Sequence, residues 1–113
     1  MKITTEVKDK GLMIFLDGEM DASTSILVDL EINKFYHLDL RNLWIDCRQL
    51  HYISSAGVGV FISHLQKLQD KQKSLVLVGL KPKIRSVFTV LGLAPLLRTL
   101  PSMENMPINS ELT

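Results

Sequence analysis

Apolar and polar positions change period several times along this chain, and each change marks an element. Residues 2–8 and 12–17 read as two strands turned at Asp9-Lys10-Gly11, where glycine can take a positive φ. In the second of them Leu12, Ile14 and Leu16 alternate with Met13, Phe15 and Asp17, which directs at least one face to a core. The chain then turns at Gly18. Ser23 or Thr24 caps a helix running to about Phe35, with Ile26, Leu27 and Leu30 on its apolar side. Leu43-Trp44-Ile45-Asp46-Cys47 is a short, mostly apolar segment suited to an internal strand. From Gly57 onward Val58, Phe61, Ile62, Leu65 and Leu68 recur at helical spacing, while Gln66, Lys67, Gln69 and Asp70 face water. Residues 75–78 form a continuous apolar run, as in a strand covered on both faces. Pro82 fits the first turn of another helix carrying Ile84, Val87, Phe88 and Leu91, and Gly92 stops it. Residues 94–100 add a short helix or an edge strand, and from Pro101 the composition predicts an irregular tail.

The resulting order is strand, strand, helix, strand, helix, strand, helix. It predicts an α/β fold: a mixed, mainly parallel sheet of four to five strands, with an antiparallel strand at one side and helices packed on it by right-handed crossovers. With no internal repeat or linker in view, residues 1–100 are expected to form one domain and residues 101–113 its tail. A length of 113 residues with 46% apolar content suffices for one core. The formal charge of +1 lacks the strongly basic footprint of a nucleic-acid binder. Apolar runs are too short for a membrane span, and Met1-Lys2-Ile3-Thr4-Thr5-Glu6 lacks a secretory core. The single Cys47 excludes an internal disulfide and fits a reducing compartment. These features predict a cytoplasmic domain; they leave its oligomeric state open.

The chemistry concentrates in residues 53–60, Ile-Ser-Ser-Ala-Gly-Val-Gly-Val, where an apolar strand gives way to a helix. Ser54 or Ser55 at this corner can cap the helix, and an exposed hydroxyl there can also carry a phosphate, because the helix end presents unpaired N–H groups and partial positive charge. Gly57 and Gly59 in the first turn each cost about 1 kcal/mol relative to alanine, so tight packing or close approach of another surface must favour the bare backbone. Enzyme readings lack apparatus. The Gly-x-Ser-x-Gly elbow of serine hydrolases is absent because Ile53 holds its first position. No Walker-type loop is present. Asp46 lacks the companion acids of a receiver domain, and a structural role is expected for it. His37, His51 and His64 are too dispersed for a metal, with His64 expected at the surface. Lys81, Lys83 and Arg85 are expected to be solvated, and Trp44 and Phe15 to sit in the core. No cofactor or metal is expected.

Asp46-Cys47-Arg48-Gln49-Leu50, followed by Tyr52-Ile53-Ser54-Ser55-Ala56-Gly57-Val58-Gly59-Val60, resembles the signature of STAS domains, specifically the anti-sigma factor antagonists. Gly18-Glu19-Met20-Asp21-Ala22-Ser23-Thr24 is similar to their earlier Gly-Glu-Leu-Asp element. Leu77-Val78-Gly79-Leu80, Val87-Phe88 and Leu91-Gly92-Leu93 are similar to their final strand and helix. The resemblance implies a non-enzymatic partner switch. An anti-sigma factor with serine kinase activity phosphorylates one serine, a metal-dependent serine phosphatase removes the phosphate, and the unphosphorylated form binds the anti-sigma factor. Alignment on Gly57-Val58-Gly59-Val60 assigns the phosphorylated serine to Ser55, with Ser54 standing where the family often has Asp. It further implies that Gly57 and Gly59 let a partner come close while Asp21, Thr24 and Val58 supply flanking contacts. An alternative keeps the fold and changes the role, to a STAS subunit of another signalling or transport complex.

Overall fold

In the computed structural model, which describes residues 1–102, a hairpin of β1 (Lys2–Lys8) and β2 (Gly11–Met20) leads into α1 (Ala22–Phe35). There follow β3 (Asn42–Ile53), α2 (Ser55–Asp70), β4 (Ser74–Val78), α3 (Pro82–Val90), a 3-10 turn at Ala94–Leu96 and β5 (Thr99–Leu100). Both alternatives foreseen for residues 94–100 are therefore used in turn. The tail expected from Pro101 lies, beyond Ser102, outside the described residues. The sheet order is β1-β2-β3-β4-β5, with β1 antiparallel to β2 and every later pair parallel.

Strand order that never reverses, joined by crossovers of one hand, leaves every helix on one face of the sheet. The main core shows this: Ile14, Ile45 and Leu77 from the strands meet Val28 of α1, Phe61 of α2 and Phe88 of α3. Phe61 and Phe88 stack at 6.5 Å between centroids, and burying each ring contributes roughly 1.5–3 kcal/mol. On the other face Met13, Trp44 and Val76 lie in register across β2, β3 and β4, and cluster with Val78. That second cluster explains why both alternating halves of β2 are apolar.

Several local readings change. The positive φ of the hairpin belongs to Asp9 (φ 56°); Gly11 is needed because a Cβ there would lie 2.1 Å from Cζ3 of Trp44. Gly18 does not end β2. It sits at a register shift against β3, with φ 134°, and the strand continues to Met20. The cap of α1 is Asp21, not Ser23 or Thr24. The buried stripe of α1 is Ser25, Val28, Ile32 and Phe35, whereas Ile26, Leu27 and Leu30 are exposed. Only one stripe of a helix can face the sheet, and α1 carries aliphatics on two sides, so the strands beneath it decide which is buried.

His64 is the largest departure, for it is buried and not at the surface. Tyr36, just past α1, donates its hydroxyl to His64 Nδ1 at 2.8 Å, and His64 Nε2 donates to Asp29 at 2.6 Å. A carboxylate only accepts, so Asp29 fixes the proton on Nε2 and leaves Nδ1 as the acceptor. The position was readable: Gly57, Phe61, His64 and Leu68 follow a 4-3-4 spacing, which places them on one stripe of the helix. Asp46 has the structural role expected of it, gripping Arg48 through two oxygens at 2.7–3.1 Å.

Candidate functional site

Two helices begin side by side at the carboxyl edge of the parallel strands. Met20 and Ile53 end β2 and β3 in register, and the Ser54 N–H donates to the Met20 carbonyl at 2.9 Å. The residues that follow, Asp21 and Ser54, are the N-caps of α1 and α2, about one strand spacing (~5 Å) apart. A single sheet edge thus presents two helix N-termini together, each with partial positive charge.

The two serines divide their work. Ser54 is half-buried, has extended backbone and accepts from the Gly57 N–H at 3.3 Å, so it is the cap. Ser55 is the first residue of α2 and is exposed. Its hydroxyl makes no hydrogen bond within the described residues and is open to solvent and to another protein.

Asp21 closes a capping box. Its carboxylate accepts from the Ser23 and Thr24 N–H groups at 3.0 and 2.9 Å and from the Ser23 hydroxyl at 2.8 Å. In return Thr24 Oγ1 accepts from the Asp21 N–H at 2.9 Å and donates to the Glu19 carbonyl at 2.7 Å. These donors, led by the Thr24 N–H, hold the carboxyl down to about 2 from its ordinary 3.8. Asp21 is therefore a fixed negative charge beside the serine corner at any physiological pH.

The glycines differ from each other. Gly57 is buried, and a Cβ there would lie 2.7 Å from Ile53 Cγ1 and 3.0 Å from Met20 Cγ. Its bareness lets α2 close on the strand ends. Gly59 is exposed with no atom within 4 Å of the same position, so internal packing does not require it. Val58 corrects an expectation: at 2% exposure its side chain points into the core and offers no flanking contact. Of the expected set, the structure brings Asp21, Thr24, Ser54, Ser55 and Gly59 to one edge and turns Gly57 and Val58 inward. Sequence reasoning missed exposed Ala56 in the same turn and Tyr52, 47% exposed where β3 ends. Tyr52 was legible as the outward neighbour of buried Ile53.

Among the described residues no three His, Cys, Asp or Glu side chains gather as a metal site, and no helix is long and apolar enough to cross a membrane. The corner offers a hydroxyl, a fixed charge and two helix ends, an arrangement suited to being read by a protein or modified by one.

Known proteins resemble this chain in sequence and in fold. The STAS domain family model matches residues 2–106. An anti-sigma-B factor antagonist of Listeria monocytogenes is 31% identical over 100 residues, covering 86% of this chain and 88% of the relative. One from Staphylococcus aureus is 25% identical over 97 residues, covering 86% and 90%. In structure, an anti-sigma factor antagonist from Mycobacterium paratuberculosis superposes with a TM-score of 0.82 at 20% identity, covering 92% of this chain and 88% of the other. SpoIIAA, an anti-sigma factor antagonist solved in its unphosphorylated form, gives 0.76 at 21% identity, covering 91% and 90%.

Proposed function

This chain belongs to the STAS domain family, and on that premise we propose that it is an anti-sigma factor antagonist switched by phosphorylation of Ser55. The observation that carries the residue assignment is the division of labour at the head of α2: Ser54 is occupied as the cap, while the Ser55 hydroxyl stands exposed. The unmodified chain binds an anti-sigma factor that is also a serine kinase. A metal-dependent serine phosphatase returns the modified chain to the binding form. The chain itself is a binding protein and a kinase substrate, not an enzyme.

Charge and bulk explain the switch. A phosphate adds about −1.5 to −2 charge and three acceptor oxygens. On Ser55 it would lie at the N-terminus of α2, where unpaired N–H groups tolerate an anion, so the fold survives modification. In a packed interface the same group meets the fixed charge of Asp21 from its own chain and cannot be desolvated. Burying charge without a partner in an interface costs several kcal/mol, enough for a loss of affinity of about 100-fold or more. Exposed Gly59 lets the partner backbone come close, and Asp21, Thr24 and Ser54 form the rim of the contact.

The test is quantitative binding to the purified anti-sigma factor kinase, with mass spectrometry of the chain after incubation with that kinase and ATP. Phosphate is expected on Ser55. Ser55→Ala should bind like the unmodified protein and Ser55→Asp about 100-fold more weakly, with both folded. Ser54→Ala should lose about 0.5–2 kcal/mol of stability with its cap. Equal affinity of Ser55→Ala and Ser55→Asp, or phosphate on Ser54, would overturn the assignment.

A further inference from the structure

We infer that the outer face of α1 is the apolar half of the same docking surface, and that it receives an apolar stripe of the anti-sigma factor that reads Ser55. This rests on the function proposed above and adds residues that the corner does not include. Ile26, Leu27 and Leu30 are 62%, 48% and 55% exposed on one side of α1, opposite its buried stripe. Ile26 and Leu30 are four apart and so lie on one line of the helix. Leu27 and Leu30 continue into a shallow groove whose other wall is Met1 and Ile3. Single exposed aliphatics are ordinary, but a contiguous set of three on one helix face marks an interaction surface.

Two observations decide what covers it. The first is continuity with the corner. Helices α1 and α2 start side by side at the sheet edge, and Ile26 follows the cap Asp21 by five residues, about 7.5 Å along the helix. A protein seated on Ser55 and Asp21 therefore reaches Ile26 within its own footprint. The second is what the corner lacks. A stable interface buries about 800 Å² per partner around a core of large apolar anchors. Asp21, Ser54, Ser55, Ala56 and Gly59 supply charge, hydroxyls and close approach, and Tyr52 is the one large side chain exposed beside them, too little for the core of an interface. The α1 face supplies those anchors, adjacent to the charge that sets specificity. Leu30, nine residues beyond the cap, lies about 13 Å along the helix, past the ~8 Å over which an exposed phosphate acts at physiological salt. Affinity thus comes from α1 and its control from Ser55.

The experiment uses the full chain and the purified anti-sigma factor kinase, titrated calorimetrically. Ile26→Gln/Leu30→Gln keeps good helix formers at exposed positions, so the thermal midpoint should stay within a few degrees. Affinity should fall about 10- to 100-fold, the scale of burying aliphatic side chains. Val90→Gln, at an 84% exposed site on α3, should bind like the unmodified protein. Hydroxyl-radical footprinting of the unmutated complex gives a reading independent of any variant's folding, with Leu27 and Leu30 protected. Affinity of the double variant within twofold of the parent, or unprotected leucines, overturns the proposal. So does sedimentation showing a parent dimer that the double variant dissolves, because a second copy then occupies the face. A Ser55→Asp titration run beside them separates the failures. Tight binding by Ser55→Asp refutes the switch itself; weak binding by Ser55→Asp with tight binding by the double variant refutes only the α1 surface.

Discussion

Gly57 and Gly59, two positions apart in one helix turn, are bare for opposite reasons. A methyl at Gly57 would strike Ile53 and Met20, and overpacking of this kind costs about 1–3 kcal/mol. At Gly59 the same methyl meets open space and removes the glycine penalty, a gain of up to about 1 kcal/mol. Urea denaturation should therefore show Gly57→Ala destabilised and Gly59→Ala stabilised; a common sign for the two would refute the packing account. Asp21 makes a pH prediction. Its carboxyl is depressed in the folded state, so its contribution is present above the ordinary value of 3.8 and is lost as pH falls through about 2. Thermal melts between pH 4 and pH 2 should show an acid loss that Asp21→Asn, an uncharged cap, does not share. Both serines were legible in the sequence as cap candidates. Which one caps was not, because the choice depends on Ser54 being tied by its N–H to β2, a strand more than thirty residues earlier in the chain.

Between elements, α1 and α2 are joined by apolar contact and by the chain Tyr36–His64–Asp29. His64 is 1% exposed, so a lost partner cannot be replaced by bulk water. Tyr36→Phe should leave Nδ1 unpaired and cost about 1–3 kcal/mol in chemical denaturation, with no loss of helical signal before the transition. Burial, aided by the charge of Asp29, raises the Tyr36 hydroxyl above its ordinary 10.0. Stability from the neutral hydroxyl is accordingly full below pH 10 and lost as the pH rises beyond it, and Tyr36→Phe should abolish that alkaline limb. The strands and the later helices were legible as elements, although β3 runs on to Ile53, past the short apolar segment Leu43–Cys47 that marked it. Helix α1 was legible in extent but not in orientation, since it carries aliphatics on two sides and period alone cannot say which side a sheet covers.

At the scale of the whole molecule, one core among the described residues joins α1, α2 and α3 to β2, β3 and β4, and a smaller cluster holds the second sheet face. Cys47 on the central strand β3 reports on their cooperation. It is fully buried, and desolvation, with the charge of Asp46 beside it, raises its thiol far above the ordinary 9.0. A thiol held protonated and enclosed is a poor nucleophile. Labelling of Cys47 in the native protein should be slow and follow the population of globally open molecules, with the free energy obtained from Trp44 fluorescence unfolding. Fast labelling in native buffer would show that β3 opens alone. The proposed switch requires that closed core, because a phosphate on Ser55 would then act at the surface without a refold.

The residue order by itself determined the succession of strands and helices, the single α/β domain, the glycine stop at Gly92 and the serine corner after β3, because each rests on interactions within a few residues. Tertiary packing alone decided that Gly57 closes on the strand ends, that Ser54 caps while Ser55 stays open, and that Ile26, Leu27 and Leu30 face outward. A helix exposes or buries a stripe according to what lies across from it, and those neighbours are strands distant in the chain.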